Sequence, residues 1–257
     1  MQVARARLQA NFSKAALAYD AQADFQHNET RRVLDAALMI LPEAATVVDI
    51  GCGTGSFAAL AQARRPGWKV IGVDLSHGMC RAAAVRCAVA QGDAARLPLA
   101  DGSAQAAVSS LCYQWVGDVA GAFTELARVL APGARAVIAT LGPQTLGELR
   151  TVATQAALPL GLLEMRGLEA YTAAAQAAGL EVTLAEQRLA LGHYADVPAL
   201  LNSMRSIGAG NNFATEKRGL TGAKRWQAMT HAYESLRTDA GLPATWEHLF
   251  LVLRKPL

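Results

Sequence analysis

The stretch Val47-Val48-Asp49-Ile50-Gly51-Cys52-Gly53-Thr54-Gly55 leaves this chain few architectures to choose from. A β-branched run ends at a carboxylate, and three glycines then alternate through a turn. Glycine takes positive φ freely and lets a bulky ligand come against bare main chain. The flanks complete the unit: Thr46–Ile50 predicts a strand, and Thr54–Arg64 predicts a helix that stops before Pro66-Gly67. Strand, tight turn and helix form the first crossover of an open α/β sheet, with a ligand crevice at the C-terminal edge of its strands. The spacing is G-x-G-x-G rather than the G-x-G-x-x-G of a dinucleotide fold.

The same rhythm continues downstream. Lys69–Asp74 predicts a second strand that again ends in a carboxylate, and Ser76 is placed to cap a helix running through Cys87. A weak strand, Ala88–Gln91, leads to Gly92-Asp93. Ala104–Leu111 predicts the fourth strand, Val119–Leu130 a helix ending before Pro132-Gly133, and Arg135–Thr140 the fifth strand. Strands alternating with helices give a doubly wound, largely parallel sheet. Upstream, Asn28–Leu41 predicts a helix with Val33, Leu34, Ala37, Leu38 and Leu41 on one face, stopped by Pro42. Residues 8–26, with Phe12, Leu17, Tyr19 and Phe25, suit a short helical flap.

Beyond residue 140 the pattern loosens. Leu146–Ala157 and Leu168–Ala178 predict helices, with Gly179 as a C-cap. Leu180–Leu191 and Thr245–Arg254 have strand character. Residues 196–240 read as helices separated by the glycine-rich segment Ile207–Asn212. The expected organisation is one domain: a flap over 1–45, a nucleotide-binding core over 46–195, an inserted helical cap over 196–240 and a final strand over 241–257.

A chain of 257 residues suits one such domain with an elaboration. The 52% hydrophobic content comes largely from alanine-rich helices, and no apolar run reaches the ~18–20 residues that span a bilayer. The N-terminal stretch has no continuous apolar core, unlike a secretory leader. Four cysteines (Cys52, Cys80, Cys87, Cys112) show neither C-x-x-C nor metal-ligand spacing, which predicts reduced thiols and a cytoplasmic location. The five histidines are scattered, so metal catalysis is not expected. A net charge of +3 is too mild for nucleic-acid binding by bulk electrostatics. Arg5, Arg7, Lys14, Arg31 and Arg32 crowd the start, and Lys217, Arg218, Lys224 and Arg225 crowd a later segment. Such clusters read either as solvated helix faces or as a docking surface for an acidic partner.

Asp49, Asp74 and Asp93 follow three successive strands, which places their carboxylates along one crevice. An acid after the second strand suits a ribose diol, since one carboxylate accepts both hydroxyl hydrogens. One after the third could accept from an exocyclic amine. Asp49 beside the glycine turn favours a cationic ligand over a pyrophosphate, although a helix N-terminus alone attracts anions. A sulfonium amino acid joined to a nucleoside fits better than a dinucleotide.

These residues resemble class I S-adenosylmethionine-dependent methyltransferases, through VDIGCGTG, VIGVDLS and GDAARLPL. Over nearly the whole length the chain is similar to malonyl-[acyl-carrier-protein] O-methyltransferases of biotin biosynthesis, through the stretch Phe12–Gln26, Ser110-Leu-Cys-Tyr-Gln-Trp115, Ser206-Ile-Gly-Ala209 and His248-Leu-Phe250. The resemblance implies a Rossmann-like seven-stranded sheet of order 3-2-1-4-5-7-6, its last strand antiparallel. It implies S-adenosyl-L-methionine as cofactor, with S-adenosyl-L-homocysteine as product. Cofactor contacts are implied at Tyr19, Gly51, Gly53, Gly55, Asp74, Leu75, Met79, Asp93, Ala94 and Leu111, with Met79 over the adenine and Tyr19 over the sulfonium. The implied partner is an acyl-carrier protein bearing malonyl, whose free carboxylate is methylated; no nucleic acid or membrane is involved.

On the substrate side, Arg205 is the first candidate for the carboxylate clamp, with a surface arginine as the alternative. Gln114 and Trp115, past the fourth strand, could line the methyl-transfer pocket. His248 and Trp246 read more readily as core residues of a strand. Three rivals stay open: a methyltransferase of a free small molecule, a cofactor-binding sensor closed by Tyr113 or Trp115, and a nicotinamide dehydrogenase. A phenolic or carbon acceptor would want a His or Glu base beside the sulfonium.

Overall fold

The computed structural model describes residues 5–16, 19–20, 24–206 and 220–257. Its strands are β1 (Ala45–Ile50), β2 (Trp68–Asp74), β3 (Ala88–Gln91), β4 (Ala104–Ser110), β5 (Leu130–Leu141), β6 (Glu181–Tyr194) and β7 (Leu242–Arg254). They form one sheet in the order β3-β2-β1-β4-β5-β7-β6. The first five pair in parallel, and β7 runs antiparallel to both of its neighbours. The described helices are α1 (Arg5–Ala15), α2 (Asp24–Ile40), α3 (Ser56–Arg64), α4 (His77–Ala83), α5 (Val119–Val129), α6 (Gly147–Gln155), α7 (Leu168–Ala177), α8 (Val197–Ser206) and α9 (Leu220–Glu234).

Alternation along β1 explains the layers. Val48 and Ile50 join a core with Phe123 and Leu126 of α5 and Tyr171 of α7, whereas Val47 joins Val33 and Leu34 of α2 and Phe57 of α3. Both faces are covered, so the strand reads as a continuous apolar run. A third cluster gathers Leu149, Leu200, Met229 and Tyr233 from α6, α8 and α9 against Leu242 and Ala244 of β7. No described helix is long and apolar enough to cross a membrane.

Several element boundaries differ from the sequence reading, each for a local reason. The helix after the glycine turn starts at Ser56 rather than Thr54, because Gly53 and Gly55 hold φ of +54° and +85°, outside the helical region. The helix capped by Ser76 ends at Ala83 rather than Cys87. α2 begins at Asp24, four residues earlier than expected: Asn28 accepts from Arg31 Nη1 at 3.0 Å inside the helix instead of capping it. β5 begins at Leu130 and runs through Pro132-Gly133, which reads as a break. Gly133 at φ +78° turns its amide to the Lys255 carbonyl at 2.9 Å, so the C-terminal segment supplies the missing partner. Leu17 and the segment Ile207–Asn212 lie outside the described residues.

Candidate active site

The glycine turn is tied to β2 before it meets any ligand. Gly51 N donates to Val73 O at 2.7 Å and Cys52 N to the same carbonyl at 3.1 Å. Gly53 N donates to Asp74 Oδ2 at 2.9 Å and Ser76 N to Asp74 Oδ1 at 2.7 Å. Each carboxylate oxygen thus carries one backbone bond and keeps acceptor capacity for a ligand hydroxyl. Burial pushes the Asp74 carboxyl up, and the two amides oppose that shift. At Gly53 no atom stands within 4 Å of where a Cβ would be, so its bare face adjoins open space.

That space is a cavity of about 590 Å³ at the C-terminal edge of the parallel strands. Tyr19, Gly51, Gly53, Asp74, Leu75 and Met79 line it, and so do Asp93, Ala94, Leu111, Gln114 and Trp115. Two of the sequence candidates lie elsewhere. Gly55 stands at the N-terminus of α3 against Ala83. Asp49 does not line the cavity: it is 3% exposed, within the sheet between Gly72 and Val108. The convergence expected of three carboxylates therefore holds for Asp74 and Asp93, while Asp49 lies deeper in the sheet, level with Gly72 and two residues short of Asp74 at the strand edge. Burial, with Asp74 nearby, pushes Asp49 up to about 7. Asp93 accepts Ala95 N at 2.9 Å, and its other oxygen pairs with Arg5 at 3.0 Å.

The cavity is roofed by α1 and by Tyr19. Ser13 Oγ lies 2.9 Å from Ser76 Oγ and accepts Gly78 N at 3.3 Å; a Cβ on Gly78 would stand 2.7 Å from Ser13 main chain. Phe12 meets Trp115 edge to face at 5.6 Å. Asp20 accepts the Thr54 hydroxyl at 2.5 Å on one oxygen and pairs with Arg86 at 2.8 Å on the other. The neighbouring Tyr19 phenol is pushed up by burial and by Asp74 and Asp20, so it stays protonated at neutral pH.

A second chamber of about 70 Å³ adjoins the first and shares Phe12, Tyr19, Leu111, Gln114 and Trp115 with it. Gln114 is buried and accepts the Thr140 hydroxyl at 2.7 Å, which fixes its amide. Leu111 holds φ +56°, a costly conformation for a branched side chain, at the wall common to both spaces. Trp246, read from sequence as core, lines the smaller chamber and meets Phe25 at a tilt of 38°, ring centroids 4.6 Å apart. Arg150 and Phe12 also line it, and no local pattern marks either for that role.

The remaining candidates are placed as follows. Tyr113 is fully buried against Phe123 at 5.1 Å in the core beneath the site, so it closes nothing. His248 is buried in β7, its Nδ1 3.1 Å from Glu29 Oε2, a core histidine with a charged neighbour. The backbone of Arg205 belongs to α8, but its side chain and Ile207-Gly208-Ala209 lie outside the described residues, as do Lys217 and Arg218. Lys224 and Arg225 are exposed on α9.

The cavity wall offers bare main chain, a carboxylate with spare acceptor capacity, the apolar surface of Met79 and a second carboxylate further along the same edge. That donor and acceptor set suits a nucleoside bearing a diol and an exocyclic amine.

Comparison with known proteins agrees. A family model described as "Methyltransferase domain" matches residues 48–138. The chain is 34% identical to the malonyl-[acyl-carrier protein] O-methyltransferase of Dechloromonas aromatica, over 98% of this chain and 95% of that protein. It is 36% identical to the biotin biosynthesis bifunctional protein BioHC of Cellvibrio japonicus over 99% of this chain, and spans about half (51%) of that longer protein. The YcgJ protein of Bacillus subtilis shares the fold with a TM-score of 0.60 at 19% identity, over 90% of this chain and 99% of that one.

Proposed function

This chain belongs to the malonyl-[acyl-carrier protein] O-methyltransferase family, and on that premise we propose that it methylates the free carboxylate of malonyl held on an acyl-carrier protein. The product, a malonyl methyl ester, would prime pimeloyl synthesis in biotin biosynthesis. The observation that carries the reading is identity of 34% across essentially both full lengths, with the glycine turn, flap and terminal strand inside the matched span. The cofactor is S-adenosyl-L-methionine. When bound, it supplies an electrophilic methyl group on a sulfonium.

In this reading Asp74 accepts the ribose hydroxyls, and Asp93 accepts the adenine amine once Arg5 yields its oxygen. Leu75, Met79 and Ala94 pack the base, and Gly51, Gly53 and Leu111 present main chain to the amino-acid portion. Gly55 shapes the turn from behind. The chain itself has little proton work to do. A malonyl carboxylate is ionised at neutral pH, so attack on the methyl needs no general base. The described lining of the smaller chamber holds no His, Asp or Glu, which suits a carboxylate better than a phenol or carbon acid. Joining an anion to a cation disperses charge, so a dry, oriented site favours the reaction. Phe12, Tyr19 and Trp115, shared by the two chambers, would exclude water, while Gln114 would orient the acceptor by its fixed amide.

The proposed partner is an acidic carrier protein, and the proposed location is the cytoplasm. The test is incubation with malonyl-carrier protein and S-adenosylmethionine, followed by mass spectrometry of the carrier. A gain of one methyl on malonyl-carrier and none on acetyl-carrier is expected; methyl gain on neither carrier would refute the reading.

A further inference from the structure

The smaller chamber has one charged wall residue among those described. Phe25, Leu162, Met165, Met204 and Trp246 make most of it apolar, and Arg150 alone brings a full charge. Arg150 lies on α6, one residue past the buried Leu149, and its Nη2 donates to Leu163 O at 2.7 Å. That bond fixes the guanidinium at the chamber wall. No other hydrogen-bond acceptor for it is found among the described residues, although guanidinium carries five donors in a planar fork. Burial disfavours its charged form, and Glu164 partly compensates. A half-buried arginine with donors to spare gains from an anionic ligand that adds charge and acceptors.

We infer that the smaller chamber is the acceptor pocket and that Arg150 receives the carboxylate of a short acyl group, one oxygen engaged and the other left to attack. This rests on the function proposed above and names the cation that the sequence placed at Arg205. Size points the same way. At about 30 Å³ per water, a chamber of about 70 Å³ takes roughly two to three water-sized groups, room for the three non-hydrogen atoms of a terminal carboxylate while the rest of the acyl group lies towards the shared wall. The wall it shares with the cofactor cavity brings the second carboxylate oxygen beside the methyl donor's space.

The experiment titrates the full chain, with S-adenosylhomocysteine present, against malonyl-pantetheine and the neutral mimic acetoacetyl-pantetheine. The wild type should bind the anion at least about tenfold more tightly, and Arg150→Gln should erase that preference. Arg150→Lys, which keeps the charge but loses the fork, should restore part of it. S-adenosylhomocysteine affinity without acceptor should stay within about twofold in both variants. Full discrimination in Arg150→Gln, or no discrimination in a wild type that still methylates malonyl-carrier, overturns the assignment. Loss of S-adenosylhomocysteine binding in both variants overturns it as well, since Arg150 would then act through the fold. A wild type that neither discriminates nor methylates malonyl-carrier overturns the proposed function itself, a separate failure.

Discussion

Asp20 Oδ2 lies 2.8 Å from Arg86 Nη2, and its other oxygen accepts the Thr54 hydroxyl at 2.5 Å. Arg86 in turn donates to Thr54 O at 3.0 Å. One carboxylate therefore joins the flap, the glycine turn and the segment after α4, immediately beside Tyr19. Burial would raise the Asp20 carboxyl, but Thr54 and Arg86 overcome it and hold the group below its ordinary value. The sign follows: the latch contributes stability above the ordinary carboxyl pKa and loses it as pH falls through the lower folded value. Asp20→Asn should weaken S-adenosylhomocysteine binding by about tenfold, ~1.4 kcal/mol, and lower the thermal midpoint modestly at neutral pH but not in acid, where the latch is already lost. Calorimetric titration reads this directly, and an unchanged Kd would show that the latch does not govern the roof.

Gly51 and Gly53 should separate folding from binding. Both sit at positive φ, but a Cβ on Gly51 would stand 2.4 Å from Cys112 Cβ, whereas one on Gly53 meets nothing within 4 Å. Gly51→Ala should lose about 2–4 kcal/mol from strain and overlap together, seen as a fall in the melting midpoint. Gly53→Ala should lose only about 1–2 kcal/mol of stability, yet its methyl adjoins the cofactor space and should cut cofactor affinity by at least about tenfold. Equal melting losses, or unimpaired binding by Gly53→Ala, would contradict this division.

Asp49 should leave a pH signature in the ligand-free protein. Burial and Asp74 raise it from 3.8 to about 7. The folded chain then keeps a proton that the unfolded chain has released, so stability falls as pH rises from about 4 to about 7, by at most ~1.4 kcal/mol per pH unit. Asp49→Asn should flatten that slope and raise the melting midpoint at pH 8 relative to the wild type. Parallel melting curves against pH for the two proteins would remove Asp49 from this role.

Lys224 and Arg225 are exposed on α9, and a carrier protein is acidic. Reversing both to Glu should raise the KM for malonyl-carrier several-fold at low salt, with the difference shrinking as salt screens it. The KM for malonyl-pantetheine and the cofactor Kd should not move. If they rise together with the carrier KM, the helix matters for the fold and not for docking.

The nucleotide-binding half was legible because its signals are local. A β-branched strand, a turn that only glycine tolerates and an acid at the next strand's end are written within a few residues of one another, and backbone sterics read them the same way in any surroundings. Ser76 and Gly179 show the same short-range logic: the first accepts Met79 N at 3.2 Å, and the second holds φ +79°. Spacing alone could not decide where side chains point once strands pack. Asp49 has the sequence position of a ligand acid, yet it sits two residues deeper than Asp74, walled in between β2 and β4. Tyr113 and Trp115 are two residues apart; one fills the core and the other walls the site. Arg150 reaches the chamber because α6 packs beside β7 and α9, through contacts separated by about a hundred residues, such as Thr245 N to Glu148 Oε2 at 3.0 Å. The sequence by itself determined the order of elements and the chemistry at the strand ends, since both are set by neighbouring residues. Only the tertiary structure decided which charges share a cavity, because that depends on which distant faces bury one another.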